Sequence, residues 1–589
     1  MTKTPKIDPI TLQVIRGAIE TIAEEMAHVL FRMSFSSIIR ESEDLGAGLF
    51  DKDFNTLCES ESTPMHIGSI PGYLNGIKQS LDDGEWYEGD VVVHNHPYYG
   101  ASHSPDLAIV IPIFYQGALV GYSANTAHHI DIGAATPGLI IDVPDVFAEG
   151  MLFAGTKLYR KGKRNETIWN YIRRNSRAAR QLCDDIEAQI ASARLGAKRF
   201  KELLDRYGKD LVFNACNQLM DYSEAMLRQR IAAIPDGEYR AEGWLDDDGR
   251  NRGKTLPVKV CVRVIGDRIE VDLTGSAPQT PTAYNVPFEG STKVAAFAAF
   301  RKLLLDTATS DNRVPSNQGS FRPISVIAPK GSIFNPEAPA SAEARFTQCN
   351  YMIDLIMKAM APVLPDEIIA GSSASISFAS YAGVRPDGNY WVFLEVNEGA
   401  YGGRPNSDGP DAIDNLMANT RNNPLEDLAM HLPMICERYE LRDDVAPGAG
   451  RYRGGIGVVK AQRILTDGII THESERHTNV PWGIFGGKPG ALGKCEIYNV
   501  NGGEPRAMHS KFHGLDVKKD DVMAYYSPCG GGFGSPLERD PQKVLDDVLD
   551  GFCSAGDALN VYGVVLDLDA ETVDLAGTRT RRAQLEKTA

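Results

Sequence analysis

Two strand-like runs, DLAIVIPIFY from Asp106 and ALVGYSANTAHH up to His129, stand either side of Gln116-Gly117. Apolar-rich runs joined by two residues ending in glycine predict a β-hairpin, and so short a loop fixes which residues face each other. With Gln116 and Gly117 at the tip, partner numbers sum to 233, so Pro105 faces His128. That register puts His128 beside both His103 and Asp106. Facing Cβ atoms in paired strands lie only about 4.5–5.5 Å apart. Pro112, inside the first arm, argues for an edge or a bulge there.

The same end of the hairpin is where histidine concentrates. The chain has 12 histidines in 589 residues, yet HNHPYYGASHSPD (94–106) holds three, and His128 and His129 follow closely. His103, Asp106 and His128 offer two imidazoles and a carboxylate, a donor set suited to a divalent ion of the zinc or manganese class with positions left open. Ordinary polar loop residues are the competing reading of that spacing. His94 and His96 alternate with Asn95 on a strand and are candidates to face substrate or support the site; His129 and Asp131 read as supports.

The length exceeds what one core can serve, and roughly 100–200 residues per unit suggests three or four. Asp8-Pro9 opens a helix whose apolar residues recur from Leu12 through Met33 with 3,4 spacing. LGAGLFD (45–51) and GDVVVHNHP (89–97) read as strands, and 168–208 and 209–232 as helices. Short strands and turns dominate 239–335, a helix spans 350–363, 391–535 is glycine-rich and strand-like, and Asp540-Pro541 opens a last helix. The reading is a multidomain α+β protein: an N-terminal metal-binding domain over 1–208, a middle α+β domain over 209–390, and a glycine- and β-rich C-terminal domain over 391–589.

A net charge of −17 argues against a general nucleic-acid binder, whose affinity rests on Lys and Arg. Nine scattered cysteines form no CxxC, which suggests reduced thiols in a cytoplasmic setting. The N-terminus has no secretory pattern, and no apolar run is long enough to span a membrane. DDDGRNRGKT (246–255) ends like a phosphate loop, but Asp248 stands where its first glycine belongs. CGGGFGSP (529–536) lacks nucleotide-loop spacing and reads as a tight structural turn, and there is no GxSxG elbow.

DPITLQVIRGAIETIAEEM, HIGSIPG (66–72), HSPDLAIVIPIF, AHHIDIGAATPG, VDLTGSAPQ, PSNQGSFRPI, RYRGGIG and GGGFGSPLERDP follow one another in an order that resembles the hydantoinase B/oxoprolinase family. That family includes N-methylhydantoinase B, 5-oxoprolinase, the caprolactamase beta-type subunit and the large subunits of acetone and acetophenone carboxylases. The resemblance implies metal ligands at His103, Asp106 and His128, with Asp44 added. Ala134 stands where the family pattern has a second glycine, which puts in doubt any role needing close backbone approach there.

The resemblance also implies a hydantoinase A-type partner subunit that hydrolyses ATP and phosphorylates the substrate, so that the two work as a hetero-oligomer. The expected activity is hydrolysis of the resulting phosphorylated cyclic amide, whether hydantoin, oxoproline or lactam, with zinc or, alternatively, manganese at the site. Asp131 or Glu149 is the candidate general base. The competing reading is a subunit of an ATP-dependent ketone carboxylase.

Overall fold

The computed structural model describes residues 7–81, 84–305, 313–375 and 377–587. Its organising element is a seven-stranded antiparallel sheet in the order β2-β1-β5-β4-β3-β6-β7. The strands are β1 (Leu45–Asp51), β2 (Thr56–Glu59), β3 (Val91–His94), β4 (Asp106–Tyr115), β5 (Ala118–His128), β6 (Thr156–Arg160) and β7 (Lys163–Arg164).

The central pair is the hairpin expected from the sequence. Next to the turn its register is the expected one, Tyr115 facing Ala118 and Phe114 facing Leu119. A bulge between Ile113 and Phe114, beside Pro112, then shifts the pairing by one residue. Asp106, rather than Pro105, therefore faces His128 directly. A bulge gives one strand an extra residue and locally sharpens its bend, so this shift re-aims the far end of the ribbon.

Both faces of the sheet are covered. Helix α1 (Pro9–Met33) starts at the Asp8 cap, whose side chain accepts from the Thr11 amide. It lays Ile15, Ile19, Ile22, Met26 and Leu30 onto one face, and α2 (Ser37–Arg40) follows it. On the opposite face, α3 (Pro64–Ser80) buries Ile70, Leu74 and Ile77 against Phe50, Val92, Val110 and Tyr122.

The pattern read as one helix over 168–208 is two, α4 (Glu166–Asn175) and α5 (Ala179–Tyr207). The break has a cause: the Asp131 carboxylate accepts from the Ser176 hydroxyl and the Arg177 amide, holding the chain out of helical geometry there. Helix α6 (Lys209–Ala232) matches its expected bounds.

The middle region is a four-stranded sheet, β11-β10-β9-β8, made of β8 (Gly237–Leu245), β9 (Leu256–Ile265), β10 (Arg268–Asp272) and β11 (Ile324–Ile327). Helix α7 (Lys293–Leu304) interrupts a stretch that reads as strands and turns in sequence, and α8 (Phe346–Met360) is almost wholly buried. Two further antiparallel sheets of four and five strands follow between Ser377 and Tyr526. The CGGGFGSP segment is the tight junction the sequence suggests. The amides of Gly530, Gly531 and Gly532 donate to the carbonyls of Gly455, Gly371 and Lys488, and a Cβ at Gly530 would come within 1.9 Å of the Tyr401 carbonyl oxygen. The helix opened by Asp540-Pro541 spans Pro541–Leu549 but is not the last, since Ala555–Asn560 and Leu575–Glu586 follow.

The α+β class read from the sequence is the one observed. One main core runs from Ile7 to Ala418. None of the nine cysteines is in a disulfide. Among the described residues no helix is long and apolar enough to cross a membrane.

Candidate metal centre

Four segments meet at the open end of the β4–β5 hairpin. β4 begins at Asp106, β5 ends at His128, and the His128 amide donates to the carbonyl of Asp44 just ahead of β1. The loop before β4 brings in His103. Pro64 at the start of α3 sets the first turn of that helix, which presents His66.

The side chains converge on one carboxylate oxygen. Asp106 Oδ1 lies 2.8 Å from His103 Nε2 and 3.1 Å from His128 Nδ1, with His66 Nε2 3.9 Å away. His66 Nε2 also lies 3.0 Å from Asp44 Oδ1, and its Nδ1 is 2.9 Å from Thr126 Oγ1. Asp106 Oδ2 accepts from Ser102 Oγ at 2.5 Å and from Arg345 Nη2 at 2.9 Å. Burial alone would push the Asp106 carboxyl up, but His103, His66 and Arg345 together hold it well below the ordinary carboxylate range. His66 is the reverse case: burial works against its charge, and the carboxylates of Asp106 and Asp44 nonetheless raise it.

The donor set passes a chemical test for a cation. His103 Nδ1 is 2.9 Å from the Glu343 carbonyl oxygen, which can only accept, so Nδ1 carries the proton of the ring. Burial and the nearby Arg345 charge push His103 down to about 4. With Nδ1 engaged on Glu343, Nε2 is the ring atom turned to Asp106 Oδ1, 2.8 Å away. An imidazole nitrogen and a carboxylate oxygen so placed are the donor types a divalent cation of the zinc class takes. One ligand atom from each of His103, Asp106 and His128 lies within 4.8 Å of the others. Fixing a ring through its second nitrogen on a backbone carbonyl is also how proteins orient metal-binding histidines.

A narrow cavity opens beside this cluster. His66, His103, His128 and Asp44 form one side; Leu139, Phe346, Phe378, Leu394 and Val396 form an apolar wall. Glu343, Arg345 and Glu473 also line it. A larger cleft lined by α1, α5, Arg301 and Arg313 opens elsewhere on the surface and contains none of the clustered histidines.

The other sequence candidates lie around this cavity rather than on its lining. Glu149 is fully buried, accepting from Ser104 Oγ, Ser341 Oγ and the Ala342 amide. It ties the His103 loop to the segment carrying Glu343 and Arg345, and burial raises its pKa. Asp131 is paired with Arg177 at 3.0 Å. His94 Nε2 donates to the Tyr99 carbonyl while Nδ1 accepts from the Gly155 amide. Burial pushes its pKa down to about 4. His96 caps the Pro97–Tyr99 turn through its Nδ1. His129 Nε2 is 3.0 Å from Gln189 Oε1.

Sequence reasoning missed His66, Glu343, Arg345 and Glu473. His66 stood in the HIGSIPG motif, the one available signal. The other three come from segments more than 200 positions from the hairpin, and no local pattern marks them.

The fold and this cluster define a known class: the chain belongs to the hydantoinase B/oxoprolinase family, whose model matches residues 8–536. It is 45% identical to a Pseudomonas sp. (strain NS671) protein described as a "Putative D-/L-hydantoinase" component of the B type, covering 99% of both chains. Among solved structures it is similar to the ATP-dependent caprolactamase of Pseudomonas jessenii, with a TM-score of 0.88 and 28% identity over 98% of this chain and 100% of that one. An acetone carboxylase structure shares the fold at a TM-score of 0.89 and 20% identity, covering 99% of this chain and 83% of that chain.

Proposed function

We propose that this chain is the metal-containing catalytic subunit of an ATP-dependent cyclic-amide hydrolase, acting on an amide that a hydantoinase A-type partner subunit has activated by phosphorylation. The observation that carries the reading is the convergence of one ligand atom from each of His103, Asp106 and His128 within 4.8 Å of one another. The hydantoinase-type relative and the caprolactamase support the amide class of substrate.

His103, Asp106 and His128 would hold the ion, with Asp44 beside them and His66 bridging the two aspartates. When bound there, a zinc or manganese ion supplies Lewis-acid stabilisation of negative charge on oxygen. The protein's own groups do the rest. Arg345 balances the Asp106 charge and keeps its Oδ2 engaged, leaving Oδ1 turned to the cluster. Ser102 fixes the same carboxylate from the other side. Glu149, engaged on both oxygens, locks the loop and so serves this site as a positioning residue. The apolar wall keeps bulk water from a reactive phosphorylated amide, whose fate is then decided by the group positioned beside it.

The test is turnover by the complex with its ATP-hydrolysing partner across hydantoins, lactams and ketones, with and without bicarbonate. ATP-dependent ring opening without bicarbonate is the expected result. Turnover of a ketone that requires bicarbonate, with no amide hydrolysed, would replace this reading with a carboxylase.

A further inference from the structure

The large cleft beside α1 and α5 has a volume of about 850 Å³, and a smaller cavity of about 180 Å³ adjoins it. Glu59 at the end of β2, Arg301 on α7 and Ser316 line both, so they stand where the two meet. Among the described residues, none that lines either cavity also lines the one beside the histidine cluster. Apart from Lys302, the rest of the smaller cavity is an apolar slot formed by Pro64, Gly68, Val294, Phe297, Ala298 and Phe321. The Phe297 and Phe321 rings stack there with centroids 5.0 Å apart.

The polar groups at the mouth of this slot are incompletely matched. The Arg301 guanidinium donates to the Ser316 hydroxyl, and the Lys302 ammonium donates to the Leu416 carbonyl. Among the described residues neither cation has a carboxylate within 4.0 Å. Burial lowers the pKa of both, that of Lys302 to about 8. Glu59 is 5% exposed, and only one of its oxygens is used: Oε2 accepts from Ser316 Oγ at 3.1 Å, whereas Oε1 has no hydrogen-bond partner among the described residues. Burial pushes its carboxyl up to about 8, which favours the protonated form, a hydrogen-bond donor. With Oε2 accepting from Ser316, the acid proton belongs on Oε1.

An unpaired buried polar atom costs about 1–3 kcal/mol, and a buried cation without its counter-charge costs more. What this mouth lacks is a negative charge and oxygen acceptors. A carboxylate supplies both, and its two oxygens match the planar fork of an arginine. The slot behind the mouth asks for an apolar body of limited size. An engineered apolar cavity of about 150 Å³ takes up benzene, so a single ring or a short branched chain is the right scale.

We propose that Arg301, Glu59 and the Phe297–Phe321 slot form a binding site for a small monocarboxylate with an apolar body, the carboxylate resting on the Arg301 guanidinium and Glu59 Oε1 and the body filling the slot. Lys302 adds positive charge from the slot wall, and Ser316 holds Arg301 and Glu59 in register. The site goes beyond the hydrolase reading and does not depend on it.

The experiment is titration calorimetry on the full chain, as prepared and after metal removal, with four probes. Benzoate carries charge and ring, benzyl alcohol the ring alone, acetate the charge without the body, and inorganic phosphate an anion of different shape. Benzoate is expected to bind saturably, at one site per chain, tenfold or more tighter than each of the other three, and equally with and without metal. Arg301→Gln is expected to weaken benzoate tenfold or more. Ala298→Leu, which fills the slot and leaves every charged group in place, is expected to do the same without weakening acetate. Glu59→Gln, which keeps a donor at that position, is expected to bind benzoate within about threefold of wild type or tighter.

No saturable benzoate binding, phosphate bound as tightly as benzoate, or binding unchanged in both Arg301→Gln and Ala298→Leu would overturn the proposal. Benzoate binding that disappears with the metal would overturn it too, because the carboxylate would then be sitting on the ion. Urea unfolding checks that each variant is folded. Any that is not is replaced by Arg301→Lys, which keeps the charge and loses the fork, or by Ala298→Val, judged by the same loss of benzoate affinity.

Discussion

Replacing Asp106 by Asn tests whether the centre is held by charge as well as shape. The two side chains have nearly the same volume, so the change removes a negative charge and little else. Asp106 and Arg345 lie 2.9 Å apart, with side chains 0% and 5% exposed. Without the carboxylate, the Arg345 guanidinium is a buried cation with its counter-charge gone. Breaking such a pair from one side costs about 3–5 kcal/mol, whereas replacing both partners by uncharged groups costs far less.

Metal-stripped protein should therefore lose about 3–5 kcal/mol in Asp106→Asn and a similar amount in Arg345→Met. The double variant should lose less than the two added, by about 2–3 kcal/mol. The assay is urea unfolding followed by circular dichroism. The pH dependence has a defined sign, because the folded carboxyl is held well below its ordinary range. Its contribution is fully present above about pH 4 and is lost as the pH falls toward the depressed folded value; the Asn variant lacks that component. Additivity of the two single changes to within about 0.5 kcal/mol would refute the reasoning, because it would mean the pair is not coupled.

Ser102→Ala removes the 2.5 Å hydrogen bond to Asp106 Oδ2 without touching a candidate ligand; divalent-ion affinity, measured by competition with a chelating dye, should fall about 10–100-fold. Gly76→Ala would set a Cβ 1.5 Å from the Tyr99 carbonyl oxygen, a backbone atom in the turn leading to His103. It should cost at least about 1–3 kcal/mol in urea unfolding and lower metal stoichiometry by displacing that loop. His472 packs between Phe512 and Tyr525, and burial pushes it down to about 3. A histidine neutral when folded and charged when unfolded loses stability as pH falls below about 6.5, roughly 2 kcal/mol by pH 5. His472→Leu should therefore shrink the stability difference between pH 7.5 and pH 5 by about that amount; an unchanged difference contradicts the assignment.

The hairpin was legible because its determinants are local: a glycine turn between two β-rich runs. The bulge that sets Asp106 opposite His128 was legible only as the oddity of Pro112, which stands beside the register shift. His103, Asp106 and His128 could be grouped because one turn places all three. Asp44 had no such route and came from family resemblance alone. Arg345 and Glu473 reach the cavity from α8's N-terminus and a distant sheet, contacts made only by tertiary packing. The helical pattern over 168–208 was real, and its break depends on Asp131, which lies outside the window in which periodicity is read. Helix α7 was hidden for a similar reason, a short helix embedded among turn residues and buried on most of its surface.

The most direct measurement is elemental analysis of the purified full chain, as prepared and after chelation and reloading, for wild type and His103→Ala. The account predicts about one divalent transition-metal ion per wild-type chain, restored on reloading, and a large loss of that ion in the variant. A wild-type chain that binds no stoichiometric ion under either condition, or a variant that binds as much as wild type, would contradict it.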